Sequence, residues 1–271
     1  MTLSWSSSAT VAHYSIERLS FASIAIALAV VGCATAPPQR DAARVERGGI
    51  APLVVVEAPT PPLNVPRYDT SGVFPQVRSA DGTDLRTANA ALQDAILDDQ
   101  RGYAVSARRY SRVAAPRYRG RYTTAIDRRL ISASTVVVSV LLPHTALYPG
   151  GSDAKGWIAT TVLVSSGKSV ALTDLFANPP RGLAVLAKAW KAQVARTPNA
   201  PCLRAYASLF APKVRNYRLF ALTPSGLAVG VWEVGPCSGL LAIVPYRVLR
   251  AHWSPTGRRL IAAVRTPRWA R

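Results

Sequence analysis

The chain has 271 residues, with 33 Lys and Arg against 14 Asp and Glu, and a formal net charge of +19 at pH 7. Its three histidines and three cysteines are scattered, so the clustered donors of a metal centre or a metal-dependent hydrolase are missing, and neither a metal nor a cofactor is expected. Such a charge favours association with polyanions and disfavours close approach to cationic partners.

From the N-terminus, Phe21 to Val31 is an uncharged apolar run preceded by Arg18. It is too short to cross a hydrocarbon core of about 30 Å as a helix, which takes roughly 20 residues, and it has the length of a signal-peptide apolar region. The run ends in Val30-Val31-Gly32-Cys33, which resembles the bacterial lipobox. That resemblance implies lipidation of Cys33, removal of residues 1–33, and export to the bacterial cell envelope, at the outer or the plasma membrane. The alternative is a plain secretory signal with a chance cysteine. The long n-region, in which Glu17 offsets Arg18, points to a true start downstream of Met1.

Residues 34–62, with "TAPPQRDAARVERGG" and "EAPTPP", read as a Pro-rich tether that spans about 30 Å as a flexible coil. Inside it "IAPLVVVEA" fits an added edge strand. "PLNVPRYDTSGVFPQV" is an extended segment broken by Pro and Gly, and a helix is predicted from about Thr87, as N-cap, to Gln100. Ala88, Leu92, Ala95, Ile96 and Asp99 share one side of that helix.

A basic stretch follows, with Arg112, Arg117, Arg119, Arg121, Arg128 and Arg129 interleaved with Tyr118 and Tyr122. Cations mixed with rings are what single-stranded nucleic acid binders use. An exported chain instead meets phospholipid head groups and phosphate-bearing wall polymers, so nucleic acid is not the expected partner. The six arginines are then contacts for an anionic envelope surface, each Lys or Arg near an anionic leaflet gaining about 1 kcal/mol. A compositional excess of arginine on a solvated face gives the same sequence. Alternation at period two in "RYRGRY" places Arg117, Arg119 and Arg121 on one strand face, in water, with Tyr118 and Tyr122 turned inward.

"TVVVSVLLP" (Thr135–Pro143) is a β-branched run of the buried-strand kind. "WIATTVLVSSGKSVALTDLF" reads as a hairpin turning at Ser165-Ser166-Gly167-Lys168. Asn178-Pro179-Pro180 offers a cap and first-turn prolines for a helix to about Arg196, with Leu183, Leu186, Ala187, Trp190 and Val194 on one face and Lys188 and Lys191 elsewhere. "YRLFALTPSGLAVGVWEV" is a second hairpin with Pro224 and Gly226 at its turn, and "GLLAIVPYRVL" supplies a strand and a short helix opened by Pro245. The sum is α+β: a mainly antiparallel sheet with about one substantial helix per half, in two sub-domains forming one ectodomain. Cys202 and Cys237, in an oxidising compartment, are expected to pair as a structural disulfide.

The order of "DTSGVFPQV", "DLRTANAALQDAI", "VVVSVLLPHTALYPGGSDAKGWIATTVLVSSGKSVALTDLF" and "FALTPSGLAVGVWEVGPCSGLLAIVPYRVL" resembles a paired set of domains of unknown function. That pair occurs in the extracellular part of the RsiV anti-sigma factor, beside the deacetylase domain of PdaC, and in secreted mycobacterial antigens. The resemblance runs from about Leu63 to Leu260; its marks are Gly150-Gly151, Gly167-Lys168 with Leu172-Thr173-Asp174-Leu175-Phe176, Leu222-Thr223 with Gly226-Leu227, and Gly239 before Pro245-Tyr246. It divides the chain into 63–133, an N-terminal α+β sub-domain, 134–262, an RsiV-like C-terminal sub-domain, and 263–271, a basic tail. It implies a non-catalytic extracellular module that binds a ligand, lysozyme in the anti-sigma branch. Three departures stand out. Ser152-Asp153 follows Gly150-Gly151 where relatives commonly have Ala-His, no membrane-spanning helix or cytoplasmic segment is read, and a basic muramidase meets a chain of the same sign unless the contact face is locally acidic.

Chemistry is sparse. There is no Gly-x-Ser-x-Gly elbow, and "SSGKS" lacks the first glycine of a phosphate loop, Val162 standing in its place. Asp153 and His144 read as a surface pair. Trp157, Trp190, Trp232 and Trp253 sit at core-like positions, whereas Trp269, in "RTPRWAR", suits a membrane interface or a frayed end. The expected function is a non-enzymatic, lipid-anchored envelope protein whose ectodomain binds a muramidase-like protein or an anionic wall or lipid surface. The competing expectations are an accessory or enzyme in peptidoglycan glycan modification, and a basic structural lipoprotein bridging membrane and wall.

Overall fold

The structure, a computed structural model, describes residues 53–115, 117–148, 153–231, 237 and 239–265, with only the backbone of Asp153 and Leu209. Cys33 with its lipobox, Gly150-Gly151, Trp232 and Trp269 lie outside the described residues. Two sheets carry the fold. The larger has six strands in the order β1 (Leu53–Pro59), β2 (Tyr68–Ser79), β3 (Gly120–Thr124), β5 (Val137–Leu147), β4 (Ile131–Ala133), with β6 (Asp153–Leu163) also paired to β5. All its pairings are antiparallel except β2 with β3, which run parallel because α1 (Arg86–Val113) crosses over between them. The smaller sheet is an antiparallel meander of β7 (Leu219–Thr223), β8 (Gly226–Gly230) and β9 (Leu241–Val244). The class is therefore α+β, as the sequence patterns imply. β1 is an edge strand on β2, formed by the apolar run within the Pro-rich tether.

α1 is twice as long as its sequence signal. It starts at Arg86 after Leu85, where the Asp84 carboxylate accepts from the Arg86 backbone N–H at 2.9 Å, so Thr87 is not the cap. It runs 28 residues, to Val113, and Arg112 is in its last turn rather than in a loop. The buried stripe passes Gln100 and continues through Ala104 and Ala107, small residues against Tyr122, Ala146 and Ala154. Its first half, through Leu92 and Ile96, covers Phe74 and Val77 of β2 and Val138, Val140 and Leu142 of β5.

The hairpin expected after β6 is incomplete. Ser169 makes one isolated bridge to Val162, and the chain then enters a 3₁₀ turn at Leu172–Leu175, where the Asp174 carboxylate accepts from the Ala171 N–H. α2 (Pro179–Val194) follows as the sequence predicts, with the Asn178 side chain accepting from the Arg181 N–H and the whole Leu183–Val194 stripe buried. Trp190, fully buried, donates its indole N–H to the Val229 carbonyl at 2.9 Å and stacks on Phe210. After a short helix, α3 (Ala200–Ala205), the chain reaches the small sheet, and Cys202 is bonded to Cys237 with their Cα atoms 5.9 Å apart. Pro245 opens a 3₁₀ segment, Tyr246–His252, and a helix not anticipated from the sequence, α4 (Pro255–Arg265), buries Leu260, Ile261 and Val264 against the same core.

The two sheets meet through β7. The Ser132 hydroxyl donates to the Leu222 carbonyl, and the Ser139 hydroxyl accepts from the Leu222 N–H at 2.7 Å while bonding Thr161 at 2.6 Å. Buried main-chain groups on that strand are thus satisfied by side chains. Leu130, Leu141, Ala221 and Ala228 fill the space between the sheets.

Candidate functional site

The crossover that makes β2 and β3 parallel also sets the outer face of α1 beside β6. Between them is a groove of about 820 Å³. Asp94, Asp98, Asp99, Tyr103 and Ser106 line it from α1, at the three- and four-residue spacings that keep side chains on one helix face. The facing wall comes from Trp157 to Thr160 of β6, with Tyr148, Ser169 and Arg218 at its ends. Trp157, half-buried, is the described tryptophan that reaches this groove. Its indole packs against Gly230, where a Cβ would come within 2.6 Å of the ring. Trp190 and Trp253 are core residues.

Behind the helix wall is a buried polar cluster. His144, on β5, is almost wholly enclosed. The Tyr103 hydroxyl lies 3.0 Å from its Nε2, and an Asp99 carboxylate oxygen lies 3.2 Å from its Nδ1, at an angle that makes a close electrostatic contact rather than a straight hydrogen bond. The same carboxylate oxygen accepts from the Tyr122 hydroxyl at 2.5 Å. Tyr103 and Tyr122 frame the imidazole at ring-centroid distances of 5.2 and 5.9 Å, and the cross-strand partner of His144 is Gly156, where a Cβ would sit 2.6 Å from Nε2. Only a glycine leaves room for the ring. Burial pushes the His144 pKa down to about 4, so the ring is neutral at pH 7. Burial first, then the Asp99 charge, drives the Tyr122 hydroxyl far above its usual range. The carboxylate described beside His144 is that of Asp99; the backbone of Asp153 pairs with Leu147, three positions along the ladder from His144.

The arginine face read from the sequence is not one face. β3 begins only at Gly120, so within it Arg121 points to water and Tyr122 is buried, as alternation requires; Tyr118 lies outside the strand and is exposed. Arg119 makes a two-point contact with Asp69, at 2.9 and 3.1 Å, and holds that carboxyl below its usual pKa. Arg129 is tied to Asp127 in the same way, and Arg128 lies 3.5 Å from Glu57 of β1. Arg117 folds over its neighbour Tyr118, 5.0 Å from the ring centroid. Three of the six arginines are thus ion-paired within the fold, which reduces what they can offer to an external anion. The acidic groove is not legible in the sequence because its carboxylates and Tyr103 share a helix face, while Tyr148 and Trp157 reach it from the far end of β5 and from β6, distant in sequence.

The arrangement defines an α+β module with an acidic, aromatic-lined groove beside an enclosed His–Asp–Tyr cluster. No family model matches the chain, and no curated protein matches it. Among solved structures it is similar to a DUF3298 family protein from Pseudomonas aeruginosa PAO1, at 16% identity, 76% of this chain and 95% of that one covered, and a TM-score of 0.44. It is also similar to a member of the DUF3298 family from Bacteroides fragilis NCTC 9343, at 12% identity, with 78% and 95% covered and a TM-score of 0.43. The neighbours thus belong to a domain of unknown function.

Proposed function

We propose that this chain is a non-enzymatic envelope protein, anchored through lipid on Cys33, whose ectodomain uses the groove between α1 and β6 to bind a basic extracellular protein of the muramidase kind. The observation that carries this reading is a groove with three carboxylates on one wall, the exposed Asp94, Asp98 in an ion pair with Arg101, and the mostly enclosed Asp99, against the single lining cation Arg218, in a chain whose net charge is +19. A cationic partner is repelled by the molecule as a whole and attracted at this groove, which turns the like-charge objection into an orientation rule: one face of the ectodomain is approachable and the rest is not. Tyr103, Tyr148 and Trp157 supply the broad, rigid contact area that binding hot spots use.

A glycosidase reading fits less well. Acid–base cleavage of a glycosidic bond takes carboxyl groups on both sides of the sugar, and among the described residues the three carboxylates all come from the α1 wall. The test is the affinity of the full chain for a lysozyme-type muramidase at low and at physiological salt. Binding is expected to survive physiological salt and to weaken about tenfold or more in Asp94→Asn/Asp98→Asn, since contacts to charged groups each contribute about 1.5–3 kcal/mol. No binding at either salt retires the reading.

A further inference from the structure

The basic character that the 112–129 stretch advertises is used differently near the C-terminus. A pocket of about 540 Å³ lies between the 3₁₀ segment Tyr246–His252 and α4, floored by Pro224, Pro245 and Tyr246. Four arginines line it: Arg247 and Arg250 from the 3₁₀ segment, Arg258 and Arg265 from α4. Their convergence follows from local geometry. Residues three apart in a 3₁₀ helix eclipse one another, which stacks Arg247 over Arg250. Arg258, Ile261, Ala262 and Arg265 fall at i, i+3, i+4 and i+7, one stripe of an α-helix, and all four line the pocket.

The walls are held in place. The Tyr246 hydroxyl donates to the Thr223 carbonyl at 2.7 Å, tying the 3₁₀ segment to β7. Arg258 donates from Nη1 to the Trp253 carbonyl at 2.8 Å, and Trp253 is stacked on Phe176 with ring centroids 5.2 Å apart. Yet the four heads reach solvent. No Asp or Glu lines the pocket, and among the described residues none of the four guanidinium groups has a carboxylate partner, in contrast to Arg119, Arg128 and Arg129.

We propose that this pocket is a binding site for a phosphate ester. Among the described residues no carboxylate offsets the like charges of these four guanidinium groups, and a bound anion supplies that compensation. The planar two-donor edge of arginine matches the oxygens of a phosphate, and four such edges from two elements suit a group with oxygens on several sides. The volume falls in the range of small-ligand sites, large enough for a phosphate with the glycerol or sugar that carries it. The shared chemistry is the phosphate; its source is either a soluble ester or a lipid headgroup presented by a bilayer. The site shares no lining residue with the acidic groove and does not depend on the function proposed for it.

The test titrates the full chain with glycerol phosphate by calorimetry and, separately, with phosphatidylglycerol vesicles against phosphatidylcholine vesicles, all at physiological salt. Arg247→Gln/Arg250→Gln is the primary variant, because both heads are exposed and neither holds the core; Arg258→Gln/Arg265→Gln is the second. Each is expected to weaken binding about tenfold or more, while Arg117→Gln/Arg121→Gln, which removes the same charge elsewhere, changes it by no more than about twofold. Binding of glycerol phosphate identifies a soluble-type site, and binding of the anionic vesicles alone identifies a headgroup site; both support the proposal. Equal losses in all three variants, or no binding of either probe, overturn it.

Discussion

The α1 side of the molecule and the α2 side both lay a helix on a sheet, and they fill the interface in different ways. Beneath the C-terminal half of α1 the contact is made of small residues, tyrosines and a buried imidazole, with Tyr103 hydrogen-bonded to His144, Tyr122 to Asp99, and the imidazole and carboxylate in close contact. Beneath α2 the contact is apolar and centred on Trp190, and a disulfide closes a 35-residue span beside it. A polar interface makes stability a matter of protonation, because every buried polar group must keep its partners. An apolar, stapled interface makes it a matter of volume and of the redox state.

That contrast can be broken at four places. The largest effect is expected from Trp190→Ala, which removes the biggest side chain of the α2 core and its bond to Val229 and is expected to cost about 5 kcal/mol. A urea midpoint close to that of the parent would mean that the core does not rest on Trp190. Opening the disulfide in Cys202→Ala/Cys237→Ala removes a constraint on the unfolded chain of about 4 kcal/mol for a span of this length. The oxidised parent and the same protein under dithiothreitol should differ by a similar amount, and identical melts would remove the staple from the account.

The third prediction separates the two sides by pH. The folded His144 takes a proton only near pH 4, whereas in the unfolded chain it does so near its ordinary value of 6.5. The unfolded state therefore binds the extra proton first: this contribution to stability is complete above about pH 6.5 and is lost as the pH falls toward 4, in total about 3 kcal/mol. His144→Gln should lose less stability over that window than the parent, and parallel pH curves for the two would contradict the burial argument. The smallest effect belongs to the α2 N-terminus, where Asn178→Ala should cost about 1 kcal/mol with no change in pH dependence.

The same contrast explains which parts of the molecule could be read from sequence. α2 was legible because its signals are local: Asn178 caps, Pro179 and Pro180 start the first turn, and five apolar residues share one face. β5 and the β7–β8 hairpin were legible for the same reason, a β-branched run and a Pro-Ser turn. α1 was read at half its length because its later contact residues are Ala104 and Ala107, whose fit depends on the tyrosines of other strands. Asp99 did leave a sign, an acid inside an apolar stripe, which is a buried polar residue waiting for a partner. Nothing local names that partner, since His144 reaches it only once β5 is in the sheet. The arginines teach the converse. Their density between Arg112 and Arg129 is plain in the sequence, but the ion pairs with Asp69, Glu57 and Asp127 exist only in the fold, as does the convergence of Arg247 and Arg250 with Arg258 and Arg265.

The serine contacts on β7 bear on how the molecule behaves in a crowd. At Leu222 the outward main-chain groups of that strand are already engaged by Ser132 and Ser139 of the same chain. A neighbouring copy therefore finds no free rung there on which to add a strand, and self-association by that route is closed off at the level of single hydroxyl groups.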